Sequence, residues 1–164
     1  MIPNVKFNFK GDGGPLIKTS QDLFDNKRVV LFSLPGAFTP ICSTKMLPAY
    51  ENLYLEFESL GIDEVYCIAV NDCFVMDAWA EDLFIKYVKL IPDGNGDFTK
   101  GMGMLVSKSN LGYGNRSWRY AAVINSGEIE WLNSEPGMKS NATEDPYELT
   151  KPSKVLEYLK SVAK

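Results

Sequence analysis

The sequence predicts an α/β fold with a central mixed sheet, flanking helices and an N-terminal extension. Two strongly apolar segments, residues 28–34 and 64–70, are each followed by a helical pattern. This order is typical of parallel strands joined by right-handed crossovers. Further along, Ser126-Gly127 is a two-residue hairpin signal between two strand-like segments, which predicts antiparallel pairing. One sheet is therefore expected to contain both kinds of pairing.

Each element follows from a local pattern. Residues 5–10 alternate apolar and polar side chains, which predicts a strand, and the glycine-rich residues 11–15 predict a turn. After a short helical turn, the expected elements are strand 28–34, helix 39–60, strand 64–70, helix 74–87, strand 88–91, helix 98–104, loop 105–115, strands 118–125 and 128–133, and helix 153–163. The order β-α-β-α-β-β-α is that of the thioredoxin fold with N-terminal additions. We expect one domain, 1–164.

Composition restricts the function. The 164 residues carry 17 basic and 21 acidic side chains, a net charge of −4, without a long basic run. Nucleic acid is therefore not an expected partner. No apolar run reaches the roughly 18 residues that a membrane span needs, and the first residues do not resemble a signal peptide. A membrane partner is not expected either.

The chain has no histidine, which excludes Ser-His and Cys-His catalysis and removes the commonest zinc ligand. Its three cysteines, Cys42, Cys67 and Cys73, show no CxxC spacing. They predict neither a zinc site nor a disulfide framework. Reduced thiols are the expectation, in an intracellular compartment such as the cytoplasm, or an organelle if a presequence was removed.

The stretch 34–43 links the first apolar strand to the long helix, and we expect the chemistry there. Thr39 is a candidate N-cap and Pro40 a candidate first helical residue, which places Cys42 in the first turn. In that turn the unpaired amides and the helix dipole favour a thiolate over a thiol. Pro48 should bend the helix about one turn later, so that the first turn can unwind separately.

The peptide Pro-Gly-Ala-Phe-Thr-Pro-Ile-Cys-Ser, from Pro35 to Ser43, resembles the active-site motif of peroxiredoxins of the type II, or atypical, subfamily. Three further segments match this family in order: 70–79, 92–96 and 116–120. The resemblance implies a peroxidase that reduces hydrogen peroxide and alkyl hydroperoxides without a cofactor or a metal. It also implies a homodimer whose contact includes the loops around Phe38 and residues 74–79.

The expected catalytic residues are Cys42, Thr39, Arg119 and Pro35. The Thr39 hydroxyl can accept from and donate to a peroxide, and an arginine can stabilise the thiolate and polarise the peroxide together. By resemblance that arginine is Arg119, although Arg116 competes for the same role. Pro35 would shield the sulfur from water and fix the loop.

The sequence leaves open two ways in which the oxidised cysteine could be reduced again, by an external thiol or by a second cysteine of the chain. Residues 134–164 contain no cysteine that could resolve a sulfenic acid, and Met46 stands where many relatives have histidine. We therefore expect a one-cysteine enzyme recycled by glutathione with glutaredoxin. Cys67 lies 25 positions after Cys42, as in plant type II enzymes, which would instead make a thioredoxin-dependent two-cysteine enzyme.

Two other functions are alternatives. A thioredoxin-like disulfide oxidoreductase would normally need a CxxC pair, which this chain lacks. A redox sensor or chaperone-like binding protein would use the same cysteine without rapid turnover. Cys73 matches no position of the family motif, although its place after a turn predicts some exposure.

Overall fold

The computed structural model describes residues 1–163, which form nine strands and six α-helices. The strands are β1 (Lys6–Phe9), β2 (Leu16–Thr19), β3 (Arg28–Ser33), β4 (Glu64–Ala69), β5 (Lys89–Pro92), β6 (Leu105–Ser107), β7 (Asn115–Ser117), β8 (Tyr120–Asn125) and β9 (Glu128–Ser134). The helices are α1 (Ser20–Phe24), α2 (Leu47–Asn52), α3 (Tyr54–Ser59), α4 (Cys73–Asp82), α5 (Asp97–Gly101) and α6 (Pro152–Val162). A π-helical turn, Cys42–Met46, precedes α2, and a 3₁₀ turn, Ser109–Leu111, follows β6.

The central sheet has the strand order β5-β4-β3-β8-β9. Strand β3 pairs parallel with β4, which pairs parallel with β5. On its other side β3 pairs antiparallel with β8, and β8 forms the predicted hairpin with β9. The prediction of an α/β fold with a central mixed sheet is confirmed.

Alternating residues of β3 enter two apolar cores, one on each face of the sheet. Val30 and Phe32 pack on the face covered by the π-helical turn, α2, α4 and α6. Val29 and Leu31 pack on the other face, against the β1–β2 hairpin, α1 and α5. All four side chains are fully buried, and each such burial contributes about 1.5–3 kcal/mol. The sheet therefore holds the end of β3, where the candidate site begins, in a fixed position.

The predicted helix over 39–60 is divided. In the π-helical turn the amide of Leu47 donates to the carbonyl of Cys42, five residues earlier. Pro48 follows at once, and because it lacks an N–H and its ring crowds the preceding turn, the ordinary four-residue spacing is disfavoured there. A second break at Leu53, with ψ of 8°, separates α2 from α3. The long helix is thus three shorter pieces.

Other element bounds also differ from expectation. The helix expected over 74–87 ends at Asp82, because Phe84 takes a left-handed φ of 55° and the Ile85 amide donates to the Ala80 carbonyl at 2.9 Å. The expected turn 11–15 leads into β2, which pairs with β1. The expected loop 105–115 contains β6 and the start of β7, which pair with each other.

Among the helices of residues 1–163, none combines the length and the apolar character required to cross a membrane.

Candidate active site

Cys42 lies at the start of the π-helical turn, after the loop that follows β3. It is fully buried, and within residues 1–163 it is a free thiol. The first bond of the helix runs from the Ser43 amide to the Thr39 carbonyl at 3.0 Å. The Cys42 amide therefore lies ahead of the intrahelical hydrogen bonds, as the first amides of a helix do.

Thr39 occupies the predicted helix start, but its side chain does not form the predicted cap. Its hydroxyl donates to the Gly36 carbonyl at 2.7 Å, which is the opposite of the accepting role of a capping hydroxyl. The loop closes on itself through this bond. The hydroxyl oxygen keeps lone pairs that can accept a hydrogen bond from a ligand.

Arg119 reaches Cys42 from the segment just before β8. Its Nη1 lies 3.7 Å from the Cys42 Sγ and donates to the Met46 Sδ at 3.1 Å. Only 1% of the Arg119 residue is exposed. A buried, permanently charged guanidinium is thus in contact with two sulfur atoms.

The other donors of Arg119 are bound by the irregular segment 135–151. Nη2 donates to Asp145 Oδ1 at 2.6 Å, and Nε donates to the Pro146 carbonyl at 3.1 Å. The guanidinium carbon lies 5.6 Å from the centre of the Tyr147 ring. Burial lowers the pKa of Arg119, but its electrostatic interactions and hydrogen bonds with Cys42 and Asp145 outweigh burial, so that the pKa is raised. The cation is held in one orientation.

Arg116, the competing arginine, lies elsewhere. Its Nη1 donates to the Pro35 carbonyl and its Nε to the Tyr113 carbonyl, both at 3.1 Å. The side chain stacks on Tyr113, 5.4 Å from the ring centre. Of the two arginines, the structure therefore places Arg119 at the sulfur and Arg116 at the loop before it.

The loop after β3 is held from two sides. Pro35 is buried and receives the bond from Arg116, and the Ala37 amide donates to Asn71 Oδ1 at 2.9 Å. Phe38 takes a left-handed φ of 64° and is 53% exposed. A bulky residue in this conformation is strained, and the hydrogen bonds at Pro35 and Ala37 fix the chain just before it.

Cys67 lies in the middle of β4, between Phe32 of β3 and Leu90 of β5. It is fully buried, and burial raises the pKa of its thiol well above the ordinary value. Cys73, for which some exposure was expected, is 8% exposed at the start of α4. Asp72 caps that helix, its carboxylate accepting from the Val75 amide at 2.9 Å. Neither thiol has the contact with a cation that Cys42 has.

A pocket of about 320 Å³ opens beside the helix start. Pro35 and Thr39 form one side of it, and Asp145, the partner of Arg119, lies on another. Its other lining residues are Pro40, Ile41, Lys108, Leu111, Tyr113, Ala142, Thr143 and Glu144. Thr39, Pro40 and Ile41, which directly precede Cys42 in the chain, thus line a pocket large enough for a small molecule.

Glu135 anchors the segment that holds Arg119. Its carboxylate accepts hydrogen bonds from the amides of residues 148–150 and from the Thr150 hydroxyl, at 2.7–3.1 Å. Its own amide donates to the Arg119 carbonyl at 3.1 Å. Burial raises the pKa of Glu135, but these bonds lower it more, and the net pKa is below its ordinary value.

A Glu135→Gln substitution is expected to destabilise the protein by about 1.5–3 kcal/mol at pH 7, the range for hydrogen bonds to a charged group. Because the folded-state pKa is lowered, this stability is present above the unfolded pKa of about 4.3 and is lost as pH falls through the folded value. Denaturant unfolding at pH 7 and at pH 3 measures the difference between the two proteins.

The control is Glu148→Gln, whose carboxylate is 79% exposed and pairs with Lys151 on the surface. This variant should lose less than about 0.5 kcal/mol. An equal loss for Glu135→Gln at both pH values would show that the charge of Glu135 does not hold the segment.

Sequence reasoning did not identify Asp145, Glu135 or Lys108. Asp145 and Glu135 lie 26 and 16 positions after Arg119, in or beside a segment without periodicity, and no local pattern links them to it. The sequence carries no local signal for Lys108 either.

The fold and this site together define a class of protein. A cysteine at a helix start beside a mixed sheet, in contact with a buried arginine and next to a small pocket, is the arrangement of an enzyme of thiol redox chemistry.

Comparisons with known proteins agree. The Redoxin family model matches residues 1–148. A peroxiredoxin of Rhizobium etli is 58% identical over 146 residues, which are 89% of this chain and 82% of that protein. The Plasmodium falciparum antioxidant protein, described as a 1-Cys peroxiredoxin, has a TM-score of 0.93 and 40% identity, covering 98% of this chain and 96% of that one. Reduced Prx3 of Vibrio vulnificus, in complex with hydrogen peroxide, has a TM-score of 0.87 and 34% identity, and the match covers 96% of this chain and 95% of that one.

The chain belongs to the redoxin family and is a peroxiredoxin. The thioredoxin-like fold expected from the order of elements is confirmed by these structures. The relatives are consistent with the type II subfamily, and they support a thiol-dependent peroxidase activity for this chain.

Proposed function

We propose that Cys42 is the peroxidatic residue of this enzyme. Its thiolate attacks one oxygen of a hydroperoxide, so that an S–O bond forms and the O–O bond breaks. Cys42 becomes a sulfenic acid, and the departing oxygen takes a proton and leaves as water or an alcohol. The observation that carries the proposal is the 3.7 Å contact between the Cys42 Sγ and the buried cation of Arg119.

Three other residues take part in this step. Arg119 stabilises the thiolate and the negative charge that develops on the departing oxygen. Thr39 accepts a hydrogen bond from the hydroperoxide through the hydroxyl lone pairs that its bond to Gly36 leaves free. Pro35, buried on the wall of the pocket, excludes water from the sulfur. The substrates are hydrogen peroxide and alkyl hydroperoxides.

An external thiol completes the cycle, with glutathione and glutaredoxin as the reductant. The first glutathione condenses with the sulfenic acid and releases water, and a second thiol displaces the reduced Cys42. The burial of Cys67 supports this, because it raises the pKa of that thiol well above its ordinary value and so disfavours the thiolate that would have to attack the sulfenic acid. The described range 134–163 contains no cysteine. The related Plasmodium protein is described as a 1-Cys enzyme.

The test is the intact mass after one equivalent of peroxide, with and without glutathione. We expect the mass to rise by one oxygen, and then a glutathione adduct that peptide mapping places on Cys42. Cys67→Ala is the matched variant. It should give the same adduct and keep most of the turnover, since the proposed cycle does not use that thiol.

Two results would contradict the proposal. A loss of two hydrogens with a Cys42–Cys67 crosslink would identify a two-cysteine enzyme, with thioredoxin as the expected reductant. A protein that is oxidised once and consumes no further peroxide with glutathione and glutaredoxin would be a sensor.

The chain is further proposed to be one domain, 1–164, that forms a homodimer. Phe38 and Phe74, on the two segments expected at the contact, are 53% and 66% exposed. Large aromatic side chains at this exposure are typical of surfaces that another chain covers.

A further inference from the structure

A buried lysine lies on the wall of the pocket beside Cys42. Lys108 follows β6, and its backbone is fixed by the loop, since its amide donates to the Gly114 carbonyl at 2.7 Å. The residue is 3% exposed, and its Nζ lies 5.5 Å from the centre of the Trp118 ring. Trp118 is fixed in turn, because its Nε1 donates to the Glu135 carbonyl at 2.7 Å. The ammonium group is therefore held in place.

The charge of Lys108 has no anionic partner among the described residues. None of the ion pairs in residues 1–163 includes it. Two carboxylates share the pocket, but Asp145 is bound to Arg119 at 2.6 Å and Glu144 forms no ion pair with the lysine. Among the described residues the ammonium forms no hydrogen bond and lies only over the face of one aromatic ring, so its donors stay free to bind an anion.

The rest of the pocket is suited to an apolar stem. Most of the wall between Lys108 and the helix start consists of aliphatic and aromatic side chains: Pro40, Ile41, Leu111, Tyr113 and Ala142. Thr39 and Pro35, from the loop before Cys42, also line the pocket. A molecule bound there therefore contacts an apolar wall and a lysine that forms no ion pair within residues 1–163.

We propose that Lys108 is a specificity-determining residue that binds a carboxylate on the small molecules that react with Cys42. The proposal rests on the peroxidase function proposed above. The ligand has a carboxylate at Lys108, an apolar stem along the wall, and its reactive oxygen or sulfur at Cys42. Two molecules share this chemistry, a fatty-acid hydroperoxide as substrate and a carboxylate-bearing thiol such as glutathione as reductant.

Matched pairs of reactants separate the two sources. In the first arm, stopped-flow fluorescence follows the oxidation of Cys42 by linoleic acid hydroperoxide and by its methyl ester. In the second, the peroxide-oxidised enzyme is reduced by glutathione and by its diethyl ester, in which both carboxylates are masked and the ammonium remains. Each pair differs in charge and keeps the same reactive atom. The variant is Lys108→Met, which keeps the length of the side chain and removes the charge.

We expect Lys108→Met to slow the reaction with the acid of at least one pair by about tenfold to a hundredfold, which is the effect of losing one charged hydrogen bond. The ester of that pair should react with the variant at the same rate as with the natural protein. A slower reaction only in the first arm would identify the hydroperoxide as the molecule that Lys108 binds. A slower reaction only in the second arm would identify the thiol. A Lys108→Arg variant keeps the positive charge, so it should react with the acid of that pair in preference to the ester, as the natural protein does.

The control variant is Lys151→Met, which removes a cation that lies near Tyr147 and pairs with Glu148 but does not line the pocket. In both arms it should leave the ratio of the rate with the acid to the rate with the ester unchanged. Equal slowing of acid and ester by Lys108→Met, or no slowing of either acid, would overturn the proposal. If the natural protein fails to react with the neutral ester and with hydrogen peroxide, the proposed peroxidase function fails instead.

Discussion

Peroxide consumption by a Cys42→Ser variant is expected to fall to the uncatalysed rate. The serine hydroxyl is not ionised near neutral pH, and it cannot form the sulfenic acid. The expected loss is about 10⁶-fold or more, the lower end of enzymatic rate acceleration. The measurement is steady-state peroxide consumption with glutathione and glutaredoxin.

Two other cysteine variants serve as controls for this prediction. Cys67→Ser and Cys73→Ser should each keep most of the turnover, although a hydroxyl in a buried apolar position costs about 1–3 kcal/mol of stability. Thermal unfolding of all three variants separates loss of chemistry from loss of fold. If Cys42→Ser retained peroxidase activity and Cys73→Ser lost it, the nucleophile would be Cys73.

The second large effect is expected at Arg119. Arg119→Gln removes the cation next to the sulfur, and the second-order rate constant for Cys42 oxidation should fall by about 10²–10³-fold, the cost of losing one donor that stabilises a developing anion. Stopped-flow oxidation under pseudo-first-order conditions measures this step apart from reduction. Asp145 loses its partner but is 40% exposed, so water can solvate it.

Arg116→Gln is the matched control, since Arg116 contacts the Pro35 carbonyl and lies next to the same loop. Its effect on the oxidation rate should be at least tenfold smaller, because its role is in the loop rather than at the sulfur. A larger loss for Arg116→Gln than for Arg119→Gln, with both proteins folded, would assign the catalytic cation to Arg116.

The elements with strong local patterns could be predicted from the sequence. The apolar strands β3 and β4 and the Ser126-Gly127 hairpin carry their own periodicity and turn chemistry, and the structure has them close to the expected bounds. The strands β6 and β7, by contrast, have three residues each and lie among glycines. They pair with each other across residues 108–114, and β6 also forms hydrogen bonds with Ser140 and Asn141, a distant segment that no local pattern links to it.

The site shows the same division. The helix start at Cys42 is a local feature, and Pro-Gly, Thr-Pro and the strand before them predict it together. The cluster around Arg119 is not local, because Asp145, Pro146 and Tyr147 reach the guanidinium from a segment without secondary structure. Only the long-range fold brings these residues to the arginine, and the sequence alone could name the cation but not its partners.

The segment 135–151 also determines where this protein tolerates a change of chain length. Its second half is fixed by the carboxylate of Glu135, and its middle by the Asn141 amide, which donates to the Ser107 carbonyl at 2.7 Å. Residues 136–139 between these anchors are exposed, and the space around Gly137 is open, although its left-handed φ of 80° requires that the glycine itself be kept. A fluorescent label or a short peptide tag inserted at 137–138 would therefore leave the partners of Arg119 in place, whereas a one-residue deletion at 146–147 would withdraw Asp145 from it.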